Sequence, residues 1–201
     1  MISFDCAFQK EIDMSALKSI LAASILAVSG FLTACTQAPR PTTVDRVDLD
    51  RYAGRWYEVA RIPHPTDFLH VADTVTYTPM RNGELTAVER WHECETYGPQ
   101  FEKVGVLHAN GRHDGKLKLR FGMGEGDYWV LALDPNYRYA MIGTPDRCWL
   151  RILSRTPTLP LDVDEHLITL ADADGYNVAA LRRTPQLMHF EYATSDDLAR
   201  P

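Results

Sequence analysis

The feature that most constrains this chain is a row of short, strand-like segments between residues 54 and 155, separated by turn residues and interrupted by no helical pattern. GRWYEVARI (54–62) is rich in β-formers and stops at Pro63. TVTYTP (74–79) alternates, Asn82-Gly83 is a strong hairpin signal, and LTAVERWHE (85–93) follows. After the Tyr97-Gly98-Pro99 turn come FEKVGVLHA (101–109), KLKLRF (116–121), YWVLALD (128–134), YRYAMIG (137–143) and CWLRILSR (148–155). Asn110-Gly111, Asp114-Gly115, a loop with Gly122, Gly124 and Gly126, Pro135-Asn136 and Pro145-Asp146 break the row between them. Eight strands this closely spaced predict an all-β, antiparallel domain, either a sandwich or an up-and-down barrel.

Past Pro157 and Pro160 the period changes to that of a helix. DVDEHLITLADAD (162–174) carries an apolar stripe of Leu167, Ile168, Leu170 and Ala171. Asp162 is placed to cap its start with Glu165 three residues on, and Gly175 to end it. YNVAALRR (176–183) reads as a short ninth strand, and residues 186–201 as a fraying tail.

The N-terminus reads as an address. ALKSILAASILAVSGFLTA (16–34) has a Lys, a short apolar stretch and small residues before a cut, which is the pattern of a secretory signal. It is shorter and more broken by Ser and Gly than the about 20 apolar residues of a membrane-spanning helix. Asp5, Glu11 and Asp13 put negative charge where a signal carries positive, so the natural start is expected at Met14, which would leave Cys6 outside the product. Leu32-Thr33-Ala34-Cys35 resembles the lipobox of bacterial lipoproteins. That resemblance implies a signal over 1–34 and acylation at Cys35, palmitate included. Thr36 stands where an Asp would retain such a protein in the inner membrane, which implies the periplasmic face of the outer membrane. Residues 35–47 read as a lipidated tether, and 48–185 as the folded domain.

Composition excludes several classes. A net charge of -6 without a Lys/Arg-rich run argues against nucleic-acid binding. Cys6, Cys35, Cys94 and Cys148 form no C-x-x-C pair and have no His at ligand spacing, so neither a metal nor another cofactor is expected. Cys94 and Cys148 fall near one end of strands three and eight, which are not neighbours, so a disulfide would need a loop folded across.

Three short motifs appear in order along the strands. Gly54-Arg55-Trp56 opens the first, Asp134-Pro135-Asn136-Tyr137 lies between the sixth and seventh, and Ile152-Leu153-Ser154-Arg155 lies on the eighth. Together, behind a lipoprotein-like signal, they resemble the lipocalins over residues 48–185, and LALDPNYRYAMIGTPDR with ILSRTP is especially similar to the outer-membrane lipocalins of bacteria, with the apolipoprotein D branch more distant. The resemblance implies an eight-stranded antiparallel up-and-down barrel with one C-terminal α-helix packed outside. It also implies that Gly54, Trp56, Asp134, Tyr137 and Arg155 are fold residues, with Arg155 packed across the Trp56 ring. A lipid partner, a fatty acid or a lysophospholipid, and an open question of homodimerisation follow from the same resemblance.

Strand parity then selects the cavity. With Trp56 inward, Glu58 and Ala60 point inward, and with Arg155 inward, so do Leu153, Arg151 and Trp149. Leu117, Leu119, Phe121 and Tyr77 are expected to line the ligand's tail. Glu58 and Arg151, on adjacent strands, either neutralise each other as an ion pair or leave Arg151 to meet an anionic head group; the sequence leaves both open. No catalytic motif is present: the scattered histidines form no H-E-x-x-H, Ser154 lies in no G-x-S-x-G elbow, and GMGEG opens no helix. The reading is a binding protein rather than an enzyme. The alternative is an isomerase-like lipocalin enzyme working through Glu58 in the cavity.

Overall fold

The computed structural model describes residues 39–64, 67, 69–109 and 114–186. Met14, Cys35, the expected signal and the tail after Gln186 lie outside the described residues. Helix α1 (Leu49–Tyr52) precedes the strands β1 (Gly54–Ile62), β2 (His70–Pro79), β3 (Leu85–Glu93), β4 (Gln100–Ala109), β5 (Lys116–Phe121), β6 (Gly124–Leu133), β7 (Tyr139–Gly143) and β8 (Leu150–Ser154). Helix α2 (Leu161–Ala173), a 3-10 turn at Val178–Ala180 and a two-residue β9 (Arg182–Arg183) follow.

From β2 to β8 each strand pairs antiparallel with the next, and β1 pairs with both β2 and β8, which closes eight strands into a barrel. Closure removes the free edges an open sheet would expose. β9 lies beside the second half of β1, at Ala60 and Arg61, where β2 has left it. The Asn82-Gly83 signal forms the β2–β3 hairpin, with Gly83 at φ 81 and the Met80 N–H donating to the Glu84 carbonyl at 2.8 Å. Gly124 and Gly126, expected in a loop, are instead strand residues opposite Phe121 and Leu119. The turn is Gly122-Met123 alone, because glycine weakens a ladder but still carries both of its backbone groups.

The core has two parts, one on each side of the sheet. Inside the barrel lie Trp56, Tyr77, Leu85, Leu107, Leu117, Tyr128, Val130, Ile142 and Leu153. Outside, beneath α2, lie Val59, Ala60, Met141, Ile152, Leu167, Ala171 and Tyr176. β7 and β8 are covered on both faces, which is why they read as nearly continuous apolar runs. Leu167 and Ala171, four apart, form the buried seam of α2, and a fully buried leucine is worth about 1.5–3 kcal/mol.

Two local expectations are corrected. The cap of α2 is Pro160, with no side-chain cap, rather than Asp162. Proline's preset φ starts the helix one residue earlier, and Asp162 and Asp164 fall in the first turn, where they suit the dipole. Val44 and Val47, expected in the tether, belong to the domain. Val44 exchanges backbone hydrogen bonds with Gly115 and Val130, and Val47 is buried in the inner core.

Candidate ligand-binding cavity

One end of the barrel is sealed. The Trp56 indole donates to the Tyr52 carbonyl at 2.8 Å, and the Arg155 guanidinium lies 3.8 Å over the centre of its ring. Asp134, in the β6–β7 turn, accepts from Arg138 and from the Asn136 N–H, and those hydrogen bonds, Arg138 foremost, hold it at about 2. The Tyr137 hydroxyl accepts from the Asp48 N–H at 2.9 Å, tying that turn to α1.

The other end opens into a cavity of about 810 Å³. This size suits one small amphiphile. Tyr77, Tyr128, Leu119, Phe121, Trp149 and Leu153 form much of its wall. Two of the tyrosines belong to a buried hydroxyl chain in which Tyr128 lies 2.8 Å from Tyr52 and 2.8 Å from Tyr77. Burial raises the phenols of all three, so each keeps its proton at neutral pH.

A charged network lies beside this apolar wall. The Arg151 guanidinium pairs with Glu89, with Glu58 at 2.8 Å and with Asp67 at 3.5 Å. Arg61 pairs with Glu58 and with Asp73 at 2.6 Å, and donates to the Asp67 and His70 carbonyls. Lys103 completes the set at 2.9 Å from Glu89. Burial pushes the Glu89 carboxyl up, but Arg151 and Lys103 outweigh it and hold it at about 2. Burial and then the neighbouring Glu58 charge raise Asp73 to about 8. With Asp73 protonated, the three carboxylates Glu58, Asp67 and Glu89 balance the three cations Arg61, Arg151 and Lys103. This resembles an interior that neutralises its charges rather than one that holds a free cation.

Asp73 makes a pH prediction. Its folded value lies above its unfolded one, so its contribution to stability is complete below about 3.8 and is lost as the pH rises through about 8. Asp73→Asn is expected to flatten the decline in unfolding free energy between pH 4 and pH 8, measured by urea titration. An unchanged slope would mean that another group carries the decline.

The parity reading held for part of β1 and failed for the rest. Trp56 and Glu58 face inward, but β1 has a bulge between Glu58 and Ala60, with Val59 as the extra residue. The bulge reverses the phase. Ala60, expected in the cavity, is on the outer face opposite Ile152, and Arg61 takes the inward place opposite Arg151. Glu58 is 2% exposed and lies behind Arg151, where Arg61, Arg151 and Thr184 engage its carboxylate. That environment suits charge pairing and gives the enzyme alternative no free base. Leu117 lies in the sealed inner core, whereas Tyr77, Leu119, Phe121, Trp149 and Arg151 line the cavity. Of the two accounts of Arg151, the geometry shows the ion pair.

Sequence reasoning missed Glu89, Asp67, Asp73, Arg61, Trp91 and Tyr128. Glu89 was within reach, since it follows Leu85 and Ala87 at the two-residue period on β3. Arg61 and Asp73 were not, because each sits next to a bulge, in β1 and in β2 between Val71 and Thr74. The β2 bulge holds Ala72 at φ 54 and is tied to the C-terminal strap by the Ala72 N–H donating to the Pro185 carbonyl at 2.7 Å. Cys94 and Cys148 are both free and exposed, and Cys148 lies at the cavity mouth. Among the described residues no group of His, Cys, Asp and Glu is placed to hold a metal ion, and no helix is long and apolar enough to cross a membrane.

Comparison with known proteins places this architecture. The lipocalin-like domain model matches residues 47–186. Temperature-induced lipocalin-1 of Arabidopsis thaliana is 33% identical over 162 residues, covering 75% of this chain and 86% of that protein. The outer membrane lipoprotein Blc of Escherichia coli K12 is 33% identical over 159 residues, covering 76% and 89%. Among solved structures, insecticyanin from the tobacco hornworm Manduca sexta superposes with a TM-score of 0.58 at 19% identity, over 73% of this chain and 85% of that one. The closed eight-stranded barrel, the outer helix and the matched domain agree, and the chain belongs to the lipocalin family.

Proposed function

We propose that this protein binds and carries a single-chain lipid, a fatty acid or a lysophospholipid, in the barrel cavity. The observation that carries this reading is the cavity itself, about 810 Å³ with apolar and aromatic walls and a charged mouth. Of the two lipid classes, the lining favours a lysophospholipid with an amine-bearing head over a free fatty acid. Of the six acidic residues that line the cavity, Asp67 and Glu89 are paired with Arg151, Asp127 with Lys118 at 2.9 Å and Glu125 with His108 at 3.0 Å. That leaves Glu93 and Asp146 without an ion pair among the described residues, while the lining cations Lys103 and Arg151 are both already paired with carboxylates. A carboxylate head would meet like charge there, whereas an ammonium would meet opposite charge. Similarity to the Blc outer membrane lipoproteins supports a place at the outer membrane, with Cys35 as the lipid-bearing anchor on the periplasmic face.

The test is a titration of the purified, delipidated protein with a C16 lysophospholipid and with palmitate, following tryptophan fluorescence, since Trp91 and Trp149 line the cavity. Saturable binding at micromolar or tighter concentrations is expected, with the lysophospholipid the tighter of the two. Failure of both lipids to bind would overturn the carrier reading. Incorporation of labelled palmitate, lost in Cys35→Ser, checks the anchor.

A further inference from the structure

The hydroxyl chain in the cavity wall has one more proton than it uses. Tyr52, Tyr128 and Tyr77 carry three O–H groups and make two contacts, each 2.8 Å, with Tyr128 in the middle. Each phenol has one proton to donate. Two contacts consume two protons, so one of the three hydroxyls must donate elsewhere. The alternatives differ in cost. If the chain runs from Tyr77 to Tyr128 to Tyr52, the spare donor is at Tyr52, which is fully buried beside Trp56 and makes no other hydroxyl hydrogen bond among the described residues. A buried donor with no acceptor is unfavourable. If it runs from Tyr52 to Tyr128 to Tyr77, the spare donor is at Tyr77, which lines the cavity. If both ends donate to Tyr128, the spare donor is at Tyr128, which also lines the cavity. These last two arrangements leave no donor stranded in the core.

We infer that the tyrosine chain forms a polar subsite in the cavity wall, donating one hydrogen bond from Tyr77 or Tyr128 to an oxygen on the buried part of the ligand. The inference rests on the carrier reading and narrows it. The preferred guest is a single-chain amphiphile that carries a hydroxyl or keto oxygen on the part that enters the barrel. A plain alkyl chain that excludes water from these two hydroxyls strands the donor. An oxygenated chain satisfies it.

Uncharged probes separate this subsite from the acidic mouth. The purified, delipidated protein is titrated with 1-alkanols of 12, 14 and 16 carbons and with the matching α,ω-diols. Without the subsite, the second hydroxyl is buried unpaired and each diol binds about tenfold or more weakly than its alkanol. With it, at least one diol binds as tightly as its alkanol or more tightly. The double substitution Tyr77→Phe and Tyr128→Phe removes both hydroxyls from the wall and should restore the tenfold penalty, with folding checked by circular dichroism. Tyr52→Phe leaves Tyr128 and Tyr77 in place and should keep the diol preference. If all three diols lose tenfold on the wild-type protein, or the double variant keeps the preference, the subsite is refuted while the carrier reading stands. If no alkanol binds, the carrier reading falls and the subsite with it.

Discussion

Arg151→Met is expected to lower the free energy of unfolding by about 3–5 kcal/mol at neutral pH. The methionine keeps most of the packing of the arginine stem, so the loss isolates the charge. It leaves Glu58 and Glu89 buried without their shared cation, and Arg61 and Lys103 can each reach only one of them. The difference from wild type should narrow as the pH falls. In the variant Glu89 no longer has the Arg151 charge that holds it down, so it protonates at higher pH and its share of the penalty fades. In the wild type Glu89 stays ionised to about 2, and its contribution, complete above its unfolded value near 4.5, is lost only as the pH falls through about 2. Urea unfolding at pH 8, 6 and 5 measures the gap. A variant as stable as wild type at pH 8 would show that the network does not depend on Arg151. A gap constant across the three pH values would assign the loss to packing instead.

Arg155→Met is expected to cost about 2–4 kcal/mol through a different mechanism. Arg155 has no carboxylate partner among the described residues; it donates to the carbonyls of Tyr137, Arg55, Arg51, Tyr52 and Ala53 at 2.9–3.2 Å while covering the Trp56 ring. One planar group thereby joins α1, the start of β1 and the β6–β7 turn. Arg155→Lys should recover little of the loss, because a single ammonium cannot span that set of acceptors. Thermal unfolding should show both variants well below wild type, with lipid affinity changed less than threefold, since the seal lies at the end away from the cavity mouth. A lysine variant that melts with wild type would leave charge alone as the contribution of Arg155.

The two variants fall on opposite sides of what could be read before the structure. Arg155 was legible, because its motif lies on a strand whose neighbours are set by chain order. The strand row was legible for the same kind of reason. Period-two alternation and turn residues are local signals, and β1 and β3 begin and end where those signals place them. Arg151 was legible as an inward residue, but its partners were only half so. Glu58 is on an adjacent strand, whereas Glu89 is on β3 and reaches Arg151 across the barrel. Ala60 was misplaced because a bulge costs one residue of phase and leaves no mark in the composition of β1.

The amino-acid order by itself determined the eight antiparallel strands, the hairpin at Asn82-Gly83, the outer helix and the family those elements resemble. Each depends on interactions among residues near in sequence, or on a period that repeats along one segment. Closure brought together what lay far apart in the chain: three carboxylates around Arg151, a tyrosine from α1 with tyrosines from β2 and β6, and the C-terminal strap against the bulge in β2. The charge state of Asp73 and the spare proton of the tyrosine chain were decided there as well. Both depend on what a buried group meets once water is excluded, and that is set by three-dimensional neighbours rather than by neighbours in sequence.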